Sequence, residues 1–313
     1  MKLLQALGVR MEEKNIKAFL NPNPVLHGET LIDPWGRKYE MENEPFLEIE
    51  LFNFPRGEYD IQLLTPFVLD KKVEVTSTCF SVYFLDKKFE DPSISEVKVR
   101  VKGKEVIKEC TLPIRIHKVR GKIRNFDVKP VSGYVWLARE DFVEYEIIVK
   151  SDKEGNFSLY CPEGRRLKIF VADPTYGRTT LETWIMGDEL KGDLDINPHI
   201  GGNLELYELR AWFFWNVWNV FFIPAIVSTE IPPKLKKEDI RIWINDKKVE
   251  IKKFTSHKVY FEGEKKGEYY PAYIMSGLTN KPLKEVCSPI VVRVEIILPE
   301  KGEGQAWYIY YHY

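Results

Sequence analysis

Phe46-Leu47-Glu48-Ile49-Glu50-Leu51-Phe52 puts Leu47, Ile49 and Leu51 on one side of an extended chain and Phe46, Glu48, Glu50 and Phe52 on the other. A period of two residues marks a strand, here with one apolar face for a core and one mixed face. The pattern continues outward. Arg56-Gly57-Glu58-Tyr59-Asp60-Ile61-Gln62-Leu63 is a turn entering a strand, and residues 73–75, 80–84 and 97–101 repeat the alternation. Upstream, Asp33-Pro34-Trp35-Gly36 has turn residues in the order a β-turn favours. Residues 14–117 therefore read as one immunoglobulin-like sandwich, preceded by an extension over residues 1–13.

The same grammar of short runs separated by Gly, Pro, Asn and Asp extends to the end of the chain, with no heptads, low-complexity tracts or fixed-period repeats. At 313 residues the chain exceeds ordinary single-domain size. The expected fold class is mostly β, with two or three immunoglobulin-like or transthyretin-like antiparallel β-sandwich domains. A composition 44% hydrophobic and 30% charged excludes disordered and disulfide-dense classes. The net charge of -1 gives no overall attraction to nucleic acid or anionic lipid. Thirty-two lysines against fourteen arginines, with glutamine only at positions 5, 62 and 305, match the usage of heat-adapted proteins. The opening residues 1–10 carry no apolar leader, so the chain as written reads as cytoplasmic, or as surface-associated had a leader been trimmed.

In the middle third, Gly121-Lys122-Ile123 is followed by Val131-Ser132-Gly133-Tyr134-Val135-Trp136-Leu137. Ser151-Asp152-Lys153-Glu154-Gly155-Asn156-Phe157-Ser158-Leu159 comes next, and then Pro162-Glu163-Gly164-Arg165-Arg166-Leu167-Lys168-Ile169-Phe170-Val171. Asp152 and Gly155 are structural turn residues: the carboxylate accepts backbone hydrogen bonds and the glycine supplies the positive φ of a tight hairpin. Val135, Leu137, Phe157, Leu159, Leu167, Ile169 and Val171 fall on alternate positions facing one core.

This stretch, about residues 118–205, resembles the carboxypeptidase regulatory-like, transthyretin-like sandwich. Arg166 stands where that family usually has tyrosine. The resemblance implies a spacer or binding architecture and carries no catalytic residues. It sets a domain at 118–207, leaving a C-terminal β-rich domain at 208–313. There, Ile240, Ile242 and Ile244 run into Asn245-Asp246, a good hairpin tip, with Val249 and Ile251 returning. Ile290, Val292, Val294 and Ile296 form another strand.

Catalytic signatures are lacking. The five histidines are dispersed, no H-x-x-E or H-E-x-x-H motif occurs, and no nucleophile elbow, Walker loop or dinucleotide fingerprint is found. Nothing calls for a cofactor or a metal. A calcium loop starting at Asp152 would need glycine where Phe157 stands. Carboxylates such as Glu90, Asp91, Glu140, Asp141, Glu144 and Glu146 read as solvated groups, although an unrecognised pair could serve a glycosidase. Cys79, Cys110, Cys161 and Cys287 form no C-x-x-C pair and read as buried thiols, with a Cys79–Cys110 disulfide left open.

The aromatics carry the functional question. Residues 211–227, Ala211-Trp212-Phe213-Phe214-Trp215-Asn216-Val217-Trp218-Asn219-Val220-Phe221-Phe222-Ile223-Pro224-Ala225-Ile226-Val227, hold no charge. The favoured reading is interior filling, with Trp212, Trp215 and Trp218 all shielded. A second reading is a carbohydrate platform of Trp212, Phe214 and Trp218 on one strand face. A third attaches the protein to a membrane, although Asn216, Asn219 and Pro224 suit a spanning helix poorly. The function expected is that of a non-catalytic protein binding a partner protein or a polysaccharide, or forming part of an assembly. The alternative is a carbohydrate-active enzyme or its accessory subunit.

Overall fold

The computed structural model describes residues 15–32, 38–138, 147–164, 166–176, 179–227, 234–260, 269–279, 288–299 and 302–311. Strands account for nearly all of its regular structure, with two short 3-10 turns, Lys87–Glu90 and Lys237–Asp239, among the described residues. The turn expected at 33–36, the extension at 1–13 and the carboxylates at 140–146 lie outside them.

Contacts divide the chain into two compact units: Met1–Pro24 with Glu44–Ile116, and Val25–Asn43 with His117–Tyr313. The first unit is a sandwich of two antiparallel sheets. Phe46–Phe52 is the middle strand of three, between Asn15–Asn21 and Cys79–Leu85. The other sheet runs Leu69–Val75, Gly57–Thr65, Glu96–Gly103, Ile107–Pro113. Leu47, Ile49 and Leu51 meet Ile61, Leu63, Val97, Val99 and Val101 between the sheets, as the alternation requires. The mixed face of Phe46–Phe52 is not solvated, however. Glu48 and Glu50 are both buried, and Tyr83 donates its hydroxyl to Glu48 at 3.1 Å.

The second unit is built on one sheet of eight strands. Its order is Ile147–Lys150, Tyr134–Leu137, Arg166–Ala172, Thr183–Glu189, Gly302–Tyr310, Ile290–Leu298, Ile240–Ile244, Lys247–Lys248. The sheet spans residues on both sides of the boundary expected at 207/208. The link is a parallel pairing, Trp184 with Ala306 through Gly187 with Ile309. Two further short pairings are also parallel, Val119 with Leu194 and Arg124 with His199, in a unit whose longer pairings are antiparallel. Residues 25–43, which the sequence reading placed in the first sandwich, group with this unit.

Local patterns of the sequence reappear here. Ile290, Val292, Val294 and Ile296 are fully buried, and Asn245 and Asp246 adopt positive φ at the tip between Ile244 and Lys247. A second sheet, ordered Leu204–Phe214, Val217–Ile226, Tyr269–Leu278, Lys253–Tyr260, packs across the eight-stranded sheet. Trp218, Val220, Phe222, Tyr273 and Met275 meet Ile242, Val292, Val294 and Ala306 at that contact. Burying such side chains stabilises each by about 1.5–3 kcal/mol relative to exposure.

Candidate functional site

The uncharged run of residues 211–227 is a β-hairpin. Its strands pair Ala211 with Val220, Trp212 with Asn219, Phe213 with Trp218 and Phe214 with Val217, leaving Trp215 and Asn216 in the turn. Being strands, these residues do not form the spanning helix of the membrane reading, and among the described residues no helix is long and apolar enough to cross a bilayer.

Alternation sends Trp218 inward, and it is 0% exposed. Its indole occupies the space a Cβ would need at Gly277, the residue opposite: the two would approach to 2.5 Å. Trp212, Phe214 and Trp215 are instead 43%, 68% and 77% exposed. The platform of Trp212, Phe214 and Trp218 is therefore corrected. Trp212 and Phe214 share the outer face, Trp218 lies on the opposite one, and Trp215 at the tip takes its place. Of the three tryptophans expected to be shielded, interior filling accounts for Trp218 only, although Ala211, Val220, Phe222 and Ile223 of the same run are buried with it.

Cross-strand register extends this outer face over four strands. One row holds Trp212, Asn219, Ser276 and Lys253, and the next holds Phe214, Val217 and Leu278, the last 54% exposed. On the other side of the first row lie Arg210, Phe221, Ile274 and Thr255. Rings and aliphatic groups thus alternate with hydrogen-bonding side chains on this face. Trp215 has φ +59°, a conformation that bulky residues rarely adopt and that costs about 1–3 kcal/mol.

At its other end the Leu204–Phe214 strand enters the interior. Glu205 (1% exposed) and Glu182 (5% exposed) are hydrogen-bonded through their carboxyl groups. The indole N–H of Trp184 donates to Glu205 at 2.5 Å, and the hydroxyls of Tyr207 and Tyr176 donate to Glu205 and Glu182. Burial and the neighbouring Glu182 carboxylate hold Glu205 well above the usual carboxylate range, and burial raises Glu182 as well. Burial raises the Tyr207 hydroxyl too. Trp136, Phe170 and Trp184 stand in register across three adjoining strands, with successive ring centroids 4.9 and 5.4 Å apart. Sequence reasoning treated acidic groups as solvated and missed this pair. Only the run of leucines around Glu205, at 204, 206 and 209, hinted at a buried setting.

Asp152 and Gly155 form a tight turn remote in sequence from both regions. Asp152 accepts from the backbone and side-chain amides of Asn156 at 2.7 and 2.9 Å, which holds its carboxyl below the usual range. Gly155 has φ +79°, and a Cβ there would meet the Ile123 carbonyl oxygen at 2.3 Å. Among the described residues no cluster of three His, Cys, Asp or Glu side chains could hold a metal ion. Cys79 and Cys110 lie on strands of different sheets; Cys110 is a free thiol, so the disulfide left open is not formed.

No family model matches the chain, and no curated protein matches it. Solved structures give weak likenesses. A protein proposed to bind carbohydrate from Bacteroides uniformis is 9% identical over 61% of this chain and 97% of its own, with TM-score 0.22. A DUF3823 family protein from Parabacteroides merdae is 10% identical over 62% and 98%, with TM-score 0.21. BcpA, the major pilin subunit of Bacillus cereus, is 8% identical over 63% and 69%, with TM-score 0.20. At such scores these likenesses assign neither a family nor a role.

Proposed function

We propose that the protein is a non-catalytic β-sandwich binding module, that its working surface is the outer face of the four-stranded sheet in the second unit, and that it takes a polysaccharide chain. The observation that carries this reading is the exposure of Trp212, Phe214 and Trp215 side by side. Monomeric proteins seldom present apolar patches of this kind without a use for them. Trp215 adds weight, since a strained backbone is retained there to hold a ring in solvent. Flat aromatic faces suit the C–H surfaces of sugar rings, while Asn219 and Ser276 supply donors and acceptors between them.

Residues 118–205 fit the carboxypeptidase regulatory-like sandwich as a carrier for such a surface. The Asp152–Gly155 turn and the buried alternation of Val135, Phe157, Leu159, Ile169 and Val171 support that assignment. A hydrolytic role for Glu182 and Glu205 is not favoured. Glycosidase carboxyls stand about 5–9.5 Å apart, whereas these two are in direct hydrogen-bond contact.

Affinity chromatography of the full chain on immobilised polysaccharides tests the proposal. Retention by at least one polysaccharide, lost in Trp212→Ala/Phe214→Ala with the melting temperature kept, is the expected result. Retention undiminished in that variant, or retention by none of a broad panel, overturns it.

A further inference from the structure

Glu205 and Trp212 belong to the same strand, yet one end of that strand is held by acid chemistry in the interior while the other presents rings to solvent. Ionised carboxylates only accept hydrogen bonds, so the bond between Glu182 and Glu205 exists only while the pair keeps a proton. Glu182 immediately precedes the Thr183–Glu189 strand of the eight-stranded sheet, and Glu205 lies on an edge strand of the four-stranded sheet packed against it.

The groups acting most strongly on the two carboxyls are each other, Trp184, Tyr176 and Tyr207, none of them basic. Tyr176 comes from the segment before the Thr183–Glu189 strand, and Tyr207 from the Leu204–Phe214 strand itself. From the Arg166–Ala172 strand, Lys168 places its ammonium 5.7 Å from the Trp184 ring. Strand Val217–Ile226 contributes Ala225 opposite Glu205. If the shared proton left, two negative charges would face each other in a site built of aromatic and aliphatic groups, and burying an unpaired charge is among the costliest events in a protein.

We infer that Glu182 and Glu205 form a proton-operated latch, closed in acid and released in alkali, that pins the base of the aromatic hairpin to the eight-stranded sheet. Both groups are raised in the folded protein relative to the unfolded chain. Their contribution to stability is therefore complete below the ordinary glutamate value and is lost as pH rises through the folded values.

Thermal unfolding of the full chain between pH 4 and 9 tests the latch without any ligand, so its outcome is separate from that of the polysaccharide reading. The melting temperature of the wild type falls toward alkaline pH. In Glu205→Gln the amide donates to Glu182 and still accepts from Trp184, so that fall is flattened and the variant melts above the wild type at pH 9. Glu182→Gln, made in case the first variant does not fold, gives the same flattening. The Trp184 emission, isolated by difference against Trp184→Phe, shifts with pH in the wild type and not in Glu205→Gln. Parallel melting curves for wild type and both variants over this range, or a Trp184 signal that titrates alike in all of them, overturn the latch.

Discussion

Trp215 and Trp218 are three residues apart in one uncharged run, yet one ring is 77% exposed and the other is completely enclosed. The difference arises from the hairpin. A two-residue turn reverses the chain at Trp215 and Asn216, and strand alternation then assigns Phe213 and Trp218 to the core, Trp212 and Phe214 to the surface. Absence of charge describes a run as a whole, whereas burial is decided residue by residue by parity within a strand. A long apolar stretch can thus contribute to a core and to a binding surface together.

The sharpest way to break this comparison is Trp218→Ala. Loss of a large core ring is expected to cost about 3–5 kcal/mol, read as a lower chemical-denaturation midpoint. A cost below 1 kcal/mol would place Trp218 outside the core. Among the described residues the indole N–H of Trp218 has no hydrogen-bond partner, so Trp218→Phe should cost clearly less than the alanine variant. An intermediate effect follows at Gly155, where valine meets both an unfavourable φ and the Ile123 carbonyl. Gly155→Val should destabilise by at least about 1–3 kcal/mol in the same assay, and an unchanged midpoint would refute the geometry of that turn.

At the exposed tip the sign reverses. Trp215→Asn relieves the positive φ and should stabilise by about 1 kcal/mol while weakening retention on the polysaccharide column. A destabilised variant would mean that the Trp215 ring packs against the protein. The smallest expected effect belongs to Trp212→Ala, within about 0.5 kcal/mol of wild type, as surface substitutions usually are. Acrylamide quenching of single-tryptophan variants ranks the three rings independently, with Trp215 most accessible, Trp212 next and Trp218 protected.

What could be read from the sequence follows the range of the interactions involved. Leu47, Ile49 and Leu51, the Asn245-Asp246 tip and the Ile290–Leu298 strand were legible, because period-two alternation and turn chemistry act over a few residues. The faces of the 211–227 hairpin could have been separated once a turn was placed at Trp215-Asn216. No signal suggested that turn, since tryptophan is a poor residue for positive φ. The acid pair was beyond reach for another reason. Glu182 and Glu205 are each surrounded by an ordinary strand pattern, and only the packing of two sheets makes them neighbours. The same holds for Glu48, whose alternation with leucine and isoleucine looks solvent-facing until the buried second face is seen.

The parallel pairing of Thr183–Glu189 with Gly302–Tyr310 also sets a timetable for synthesis. The Thr183–Glu189 strand leaves the ribosome more than a hundred residues before the partner that covers its free edge. During that interval its backbone donors and acceptors stand open on one side, the condition under which nascent chains pair with one another. Such distant pairing also makes assembly slow, because a long loop must close before the contact is rewarded. Ribosome-bound chains arrested before residue 302 should therefore engage chaperones that bind open strand edges, and release them once residues 302–310 have emerged.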